Sequence, residues 1–204
     1  MKKKIKLNLG CASRPLKGYI NIDIDSKETI IKRYPNIDIP EDLDICQYDI
    51  FNLPYEDSSV NEILSDCMLE HLSFLEEKKF FLEMKRVLSS NGRLLFTVPD
   101  FENTIELWIK AKDDWKEFFR NDDEAITKEH WFGNYSYSCD NRWGYLTASI
   151  FGPQNGEGQF HKNAYTEGKI RSMLEYLEFD IIELSRYKWK DDREMMLKVI
   201  ASKR

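Results

Sequence analysis

Ile5, Leu7 and Leu9 alternate with Lys6 and Asn8 and run directly into Gly10. A period of two predicts a strand, and the glycine marks a turn that passes close to a neighbour or ligand, because it carries no Cβ. The alternation resumes over Gly18–Asp25, where Tyr19, Asn21 and Asp23 oppose Ile20, Ile22 and Ile24. This predicts a second strand ending in carboxylates, where a nucleotide-binding doubly wound sheet places the acid that takes the ribose hydroxyls. Only Gly10 to Gly18 lie between the two strands, fewer than a parallel crossover ordinarily uses. The first helix is therefore expected to be abbreviated.

Further along, Tyr34-Pro35-Asn36 and Ile39-Pro40 limit any helix between Ser26 and Glu41 to a short one. Leu43–Tyr48 alternates as a third strand and delivers Asp49 and Ile50 at its end. Asn52–Ile63 reads as a proline-stiffened turn followed by a fourth strand near Glu62–Ser65, which leads into Asp66, Cys67 and Met68. Ser73 and Glu76 have capping-box spacing, and Phe80, Phe81, Met84, Val87 and Leu88 form one apolar stripe, predicting a sheet-packing helix. Ser89–Gly92 ends it, and Arg93–Val98 is the fifth strand. Near the C-terminus, Ile170, Met173, Leu174 and Leu177 predict a last helix. Phe179–Leu184 and Met195–Ile200 predict an antiparallel pair.

Between Glu102 and Gln159 the pattern changes. Four of the five tryptophans, Trp108, Trp115, Trp131 and Trp143, fall here with Phe118, Phe119, Phe132, Tyr135, Tyr137 and Tyr145. So much aromatic surface predicts an insertion acting as a lid or substrate subdomain, beginning with a helix from about Asn103 to Arg120. The stretch Phe151–Lys162 then holds Gly152, Gly156 and Gly158, which lets backbone bend close to a ligand.

Length and charge narrow the partners. At 204 residues, one α/β domain spanning 1–204 is expected, with 102–159 as an insertion within it. Thirty basic against 36 acidic residues give a net charge of −6, so no basic field recommends nucleic acid. No uninterrupted apolar run reaches the length of a membrane span, and no export signal follows Lys2-Lys3-Lys4. The four cysteines, Cys11, Cys46, Cys67 and Cys139, are scattered without a C-x-x-C pair, which argues for reduced thiols in the cytoplasm.

Leu7-Asn8-Leu9-Gly10-Cys11-Ala12 and Asn21-Ile22-Asp23 resemble the first motifs of class I S-adenosylmethionine-dependent methyltransferases. The matching branch reads L-N-L-G-C-G, then N-V-D, with L-E-H-L after the fourth strand, here Leu69-Glu70-His71-Leu72. Ala12 stands where the family usually has a second glycine. The resemblance extends through Asn52–Ile63, Pro99-Asp100-Phe101 and His161–Thr166. It implies a Rossmann-like α/β fold, with a mostly parallel seven-stranded sheet and an antiparallel last strand. It also implies S-adenosylmethionine as cofactor, held by Asn8, Gly10, Cys11, Ala12, Asp23, Asp49, Ile50, Asp66, Cys67, Met68 and His71. Asp23 would take the ribose and Asp49 the adenine amino group.

Methyl transfer is an in-line displacement, so orientation is the protein's main service and no catalytic triad is required. His161, at the end of the glycine-rich loop, is the candidate general base. Some methyltransferases of related pattern bind a divalent ion through Glu-x-x-Glu-His; with Cys67 at the first of those positions, no metal site is expected from Glu70 and His71. A small molecule or glycan is the expected acceptor, with no nucleic acid. Two alternatives are a non-catalytic S-adenosylmethionine-binding protein, with which Ala12 is compatible, and an NAD-dependent oxidoreductase, whose G-x-G-x-x-G spacing is missing after Gly10.

Overall fold

The alternating stretches become β1 (Lys6–Leu9), β2 (Ile20–Ile22), β3 (Ile45–Cys46), β4 (Val60–Asp66), β5 (Leu88–Pro99), β6 (Phe179–Lys188) and β7 (Met195–Lys203). The computed structural model describes residues 4–116, 139–154, 157–188 and 195–204. All seven strands join one sheet in the order β3-β2-β1-β4-β5-β7-β6. The pairs from β3 through β5 are parallel, and β7 runs antiparallel to both β5 and β6. This is the mostly parallel sheet with an antiparallel last strand implied by the resemblance. The chain builds outward from β1 to β3, then returns to lay β4 against the other side of β1. The carboxyl ends of β1 and β4 therefore flank a topological switch point, where open α/β sheets bind their ligands.

Among the described residues the helices are α1 (Lys27–Arg33), α2 (Phe74–Val87), α3 (Phe101–Lys110), α4 (Tyr145–Phe151) and α5 (Glu167–Tyr176), with 3₁₀ turns at Leu69–His71 and Glu157–Gln159. The capping box forms as its spacing predicts: Ser73 Oγ accepts from Glu76 N at 3.4 Å, and Ser73 N donates to Glu76 Oε2 at 2.7 Å. Phe80, Phe81, Met84, Val87 and Leu88 are buried in the core. Each such side chain contributes about 1.5–3 kcal/mol through burial.

Four boundaries differ from the sequence pattern. Residues 10–18 contain no helix at all, and a buried amide pair accounts for their shape. Asn21 Oδ1 accepts from Asn8 Nδ2 at 3.0 Å and from Leu16 N at 2.7 Å, while Asn8 Nδ2 also reaches Arg14 O at 3.1 Å. These side chains satisfy the crossover's backbone where helical bonds otherwise would. Second, β3 is only Ile45–Cys46, and Asp49 turns the chain beyond it by accepting from Phe51 N at 2.8 Å. Third, β5 starts five residues early: Leu88 already pairs with Val60, and a register shift precedes the Glu62–Arg93 pairing.

The fourth difference is α3, which stops at Lys110 instead of Arg120. Ala111 is extended, and Asp113 and Asp114 bind nearby groups, accepting from Trp115 Nε1 at 2.7 Å and from Lys116 N at 3.1 Å. Such local acceptors compete with helical hydrogen bonding. Arg142 closes the helix end by donating to Trp108 O at 3.2 Å, with its guanidinium 4.5 Å from the centre of the Trp108 ring. Trp143 is buried, while Trp108, Trp115 and Tyr145 are half-buried. Phe118, Phe119, His130, Trp131, Phe132, Tyr135 and Tyr137 lie outside the described residues.

One polar latch fixes the loop that enters β4. Arg86, at the end of α2, donates to Leu53 O, Tyr55 O and Asp57, and holds Glu83 at 2.6 Å. Glu83 in turn accepts from Leu53 N at 2.7 Å, and the Arg86 bonds hold its carboxyl below the usual carboxylate range. The proline-stiffened stretch from Asn52 is thereby pinned to the helix that follows the site.

Candidate active site

At the carboxyl end of β1 the backbone turns through Gly10 at φ +64°, and Gly10 N and Cys11 N both donate to Ile22 O, at 2.8 and 3.1 Å. A Cβ on Gly10 would lie 2.4 Å from Met68 Cγ. Glycine is required here on two counts, the left-handed backbone and the approach of Met68. Ala12 also adopts a left-handed conformation, φ 43°, which explains why glycine suits the position. Its amide is compensated by a 2.8 Å bond to Asp23 Oδ2.

Asp23 is buried and organises the loop. Its Oδ2 receives Ala12 N, its Oδ1 receives Asp25 N at 3.0 Å, and its own amide donates to Cys46 O. A carboxylate has about four acceptor sites, so two filled ones leave capacity for a diol. Asp25 has another partner, Arg33 at 2.7 Å. Cys11 is buried beside Asp23, and burial pushes its thiol up to about 12, so it is protonated and unreactive at neutral pH.

Across the switch point, β4 ends in Asp66. Its carboxylate pairs with Arg14 from the glycine loop and accepts from Thr97 Oγ1 on β5. Cys67 follows in a left-handed conformation, φ 53°, its amide bonded to Thr97 O at 3.0 Å. The Cys67 thiol lies 3.6 Å from Asp66 Oδ1 and 3.7 Å from Thr97 Oγ1, and burial raises its pKa well beyond the usual range. Tyr187 of β6 is felt electrostatically from this wall, and burial raises its pKa as well. Arg14, Thr97 and Tyr187 carried no motif, and only the sheet order brings them together.

The 3₁₀ turn after Met68 holds Glu70 and His71. His161 arrives from the other end of the chain, its ring centre 4.9 Å from that of His71 and nearly edge-on at 71°. His71 Nδ1 is 3.1 Å from Phe160 O, and His161 Nδ1 is 2.9 Å from Ser149 O. A carbonyl can only accept, so each ring donates from Nδ1 and keeps its lone pair on Nε2. Burial lowers both pKa values. For His161, burial and then the facing His71 bring it to about 4.

The expected cofactor residues thus fall into groups. Gly10, Cys11, Ala12 and Asp23 form one loop; Met68 packs over it; Asp66 and Cys67 form the opposite wall; His71 joins His161. Asn8 lies beneath the loop, its amide nitrogen donating to Asn21 and Arg14. Asp49 is exposed and caps a turn, and Ile50 packs against the core. A cavity of about 500 Å³ opens at the other end of the sheet, near Lys4, Lys17 and Asp44, where β1 to β3 begin, and it takes no part in this arrangement. No helix among the described residues is long and apolar enough to cross a membrane.

A family model described as a methyltransferase domain matches residues 7–96, which run from β1 into β5. No curated protein sequence matches the chain. Solved structures do. A SAM-dependent methyltransferase from Methanosarcina mazei is 16% identical with a TM-score of 0.56, covering 100% of this chain and 94% of its own. The 1,6-didemethyltoxoflavin-N1-methyltransferase of Burkholderia thailandensis, solved with 1,6-didemethyltoxoflavin and S-adenosylhomocysteine, is 11% identical with a TM-score of 0.56, over 98% of this chain and 70% of its own. Magnesium protoporphyrin IX methyltransferase from Synechocystis, solved with bound SAH, is 10% identical with a TM-score of 0.55, over 98% and 74%. At these identities the likeness is one of fold. The chain has the Rossmann-like fold of class I S-adenosylmethionine-dependent methyltransferases.

Proposed function

We propose that this protein is an S-adenosylmethionine-dependent methyltransferase whose acceptor is a small molecule or glycan. The observation that carries the reading is the loop at the switch point: Gly10 at φ +64° beneath Met68, with Ala12 N bound to the buried Asp23 carboxylate. The free acceptor sites of Asp23 suit the ribose diol. The backbone past Gly10 suits the adjoining sulfonium chain, and Asp66 with Met68 would form the facing wall. Asp49, on the loop after β3, stands on the adenine side. S-adenosylhomocysteine or SAH is bound in the Burkholderia and Synechocystis enzymes of the same fold, which supports the same cofactor class here.

In the reaction, the acceptor's lone pair forms the new bond to the methyl carbon while the carbon–sulfonium bond breaks, and the acceptor proton leaves to a base or to water. The chain's contribution is alignment. His161 is the candidate base, yet with its pKa near 4 a proton on that ring would be weakly held at neutral pH. A lone imidazole base is therefore poorly matched to the task. The test is transfer of labelled methyl groups from S-adenosylmethionine to a panel of hydroxylated and amino small molecules and oligosaccharides. Label in at least one such acceptor, with S-adenosylhomocysteine formed in equal amount, is the expected result. Cofactor binding without transfer to any of them would favour a binding protein, and transfer only to RNA or DNA would refute the acceptor class.

A further inference from the structure

We propose that Glu70, His71 and His161 form a binding site for a first-row divalent transition metal of the zinc type. One ligand atom from each residue lies within 4.8 Å of the other two. Around tetrahedral zinc, with ligands at about 2.1 Å, neighbouring ligand atoms stand roughly 3.4 Å apart. Side-chain movements of about an ångström would close the set.

Both imidazoles are prepared for coordination. Each is fixed through Nδ1 to a backbone carbonyl, Phe160 O at 3.1 Å and Ser149 O at 2.9 Å. Outer-shell bonds of this kind set the tautomer and orient a ligating histidine. Glu70 is 3% exposed and completes a two-nitrogen, one-carboxylate set. That composition suits zinc and its neighbours better than magnesium or calcium, which prefer oxygen ligands throughout.

The backbone holds the three residues together. Glu70 O accepts from Lys162 N at 2.8 Å and Asn163 N at 3.1 Å, tying the His161 loop to the 3₁₀ turn. His161 N donates to Phe151 O at 3.0 Å. Beside it Gly152, at φ +81°, sits where a Cβ would meet Gln159 O at 2.0 Å and His161 N at 2.7 Å. Only glycine permits this crossing, which brings Ser149 O to the His161 ring. Lys162, whose charge is felt at His71, lies 3.7 Å from Glu76.

The sequence spacing alone argues against a metal, because Cys67 replaces the first glutamate of a Glu-x-x-Glu-His set. Cys67 is not needed, since its thiol is turned to Asp66 and Thr97 and the third ligand comes from residue 161. Three protein ligands leave a coordination position open to water or an oxygen nucleophile, and an ion there can lower that oxygen's pKa. Using the ion to hold an acceptor hydroxyl rests on the methyltransferase reading; binding the ion does not.

The experiment is titration of the full chain, stripped with a chelator, with Co²⁺ followed by visible absorption and with Zn²⁺ by competition. One equivalent of Co²⁺ is expected, with ligand-field bands of four- or five-coordinate cobalt and no thiolate charge-transfer band. His161→Ala and Glu70→Gln should each weaken binding by at least the 10- to 100-fold that even an outer-shell partner is worth. His161→Gln, on the loop, serves if Glu70→Gln fails to fold, as judged by metal-free melting curves. Absence of stoichiometric binding, or binding unchanged in the folded His161 variants, would overturn the proposal. Neither readout involves S-adenosylmethionine or an acceptor, so failure here is separate from failure of methyl transfer.

Discussion

Asp23→Ala is expected to weaken S-adenosylhomocysteine binding by about 100-fold or more, while Asp25→Ala leaves it within a few-fold of the parent. The difference follows from what each carboxylate holds. Asp23 binds Ala12 N and Asp25 N and has acceptor sites left, so the substitution removes both the proposed ribose partner and the tie that shapes the glycine loop. Hydrogen bonds to a charged group contribute about 1.5–3 kcal/mol each, and a hundredfold loss is about 2.7 kcal/mol. Asp25 is paired with Arg33 on α1. Partly exposed pairs of this kind contribute about 0–1 kcal/mol, so its loss should be felt slightly in stability and little in binding. Calorimetric titration of both variants decides the matter; equal losses would mean that Asp23 is not the ribose acid.

A second large effect is expected at Gly10. Gly10→Ala places a methyl group 2.4 Å from Met68 Cγ and 2.9 Å from Met68 Cβ, and forces alanine to φ +64°. The left-handed conformation costs about 1–2 kcal/mol and the overlap about 1–3 kcal/mol more. The variant should melt well below the parent and lose S-adenosylhomocysteine affinity, because relief requires the loop and Met68 to separate. Met68→Ala in the same chain should restore part of the stability by removing Cγ, but not the backbone component. A double-mutant cycle on melting free energies reads this directly, and strict additivity would place the two residues apart.

The elements whose information is local were legible in the sequence. Alternation marked β1, Ser73 and Glu76 marked the start of α2, and the strand–glycine–strand–acid order marked Gly10 and Asp23. The helix-free crossover was not legible, because it depends on Asn8 and Asn21 sharing a hydrogen bond beneath it, and an asparagine within a strand has no pattern of its own. α3 is shorter than its apolar periodicity for a related reason: Asp113 and Asp114 act through local bonds that such periodicity does not register. The pairing of His71 with His161 joins residues 90 positions apart and required the fold. So did Arg14, which reaches Asp66 across the switch point only because β4 lies next to β1.

Ligand choice tests the cofactor assignment most directly. S-adenosylhomocysteine at about 100 times its dissociation constant should stabilise the chain by about 2.7 kcal/mol, because it binds the native state alone. For a protein of this size that is a rise in melting temperature of roughly 5–10 °C. This rise is expected with S-adenosylhomocysteine and S-adenosylmethionine, and none with NAD at the same concentration. A shift with NAD alone, or no shift with S-adenosylhomocysteine up to saturating concentrations, would contradict the assignment.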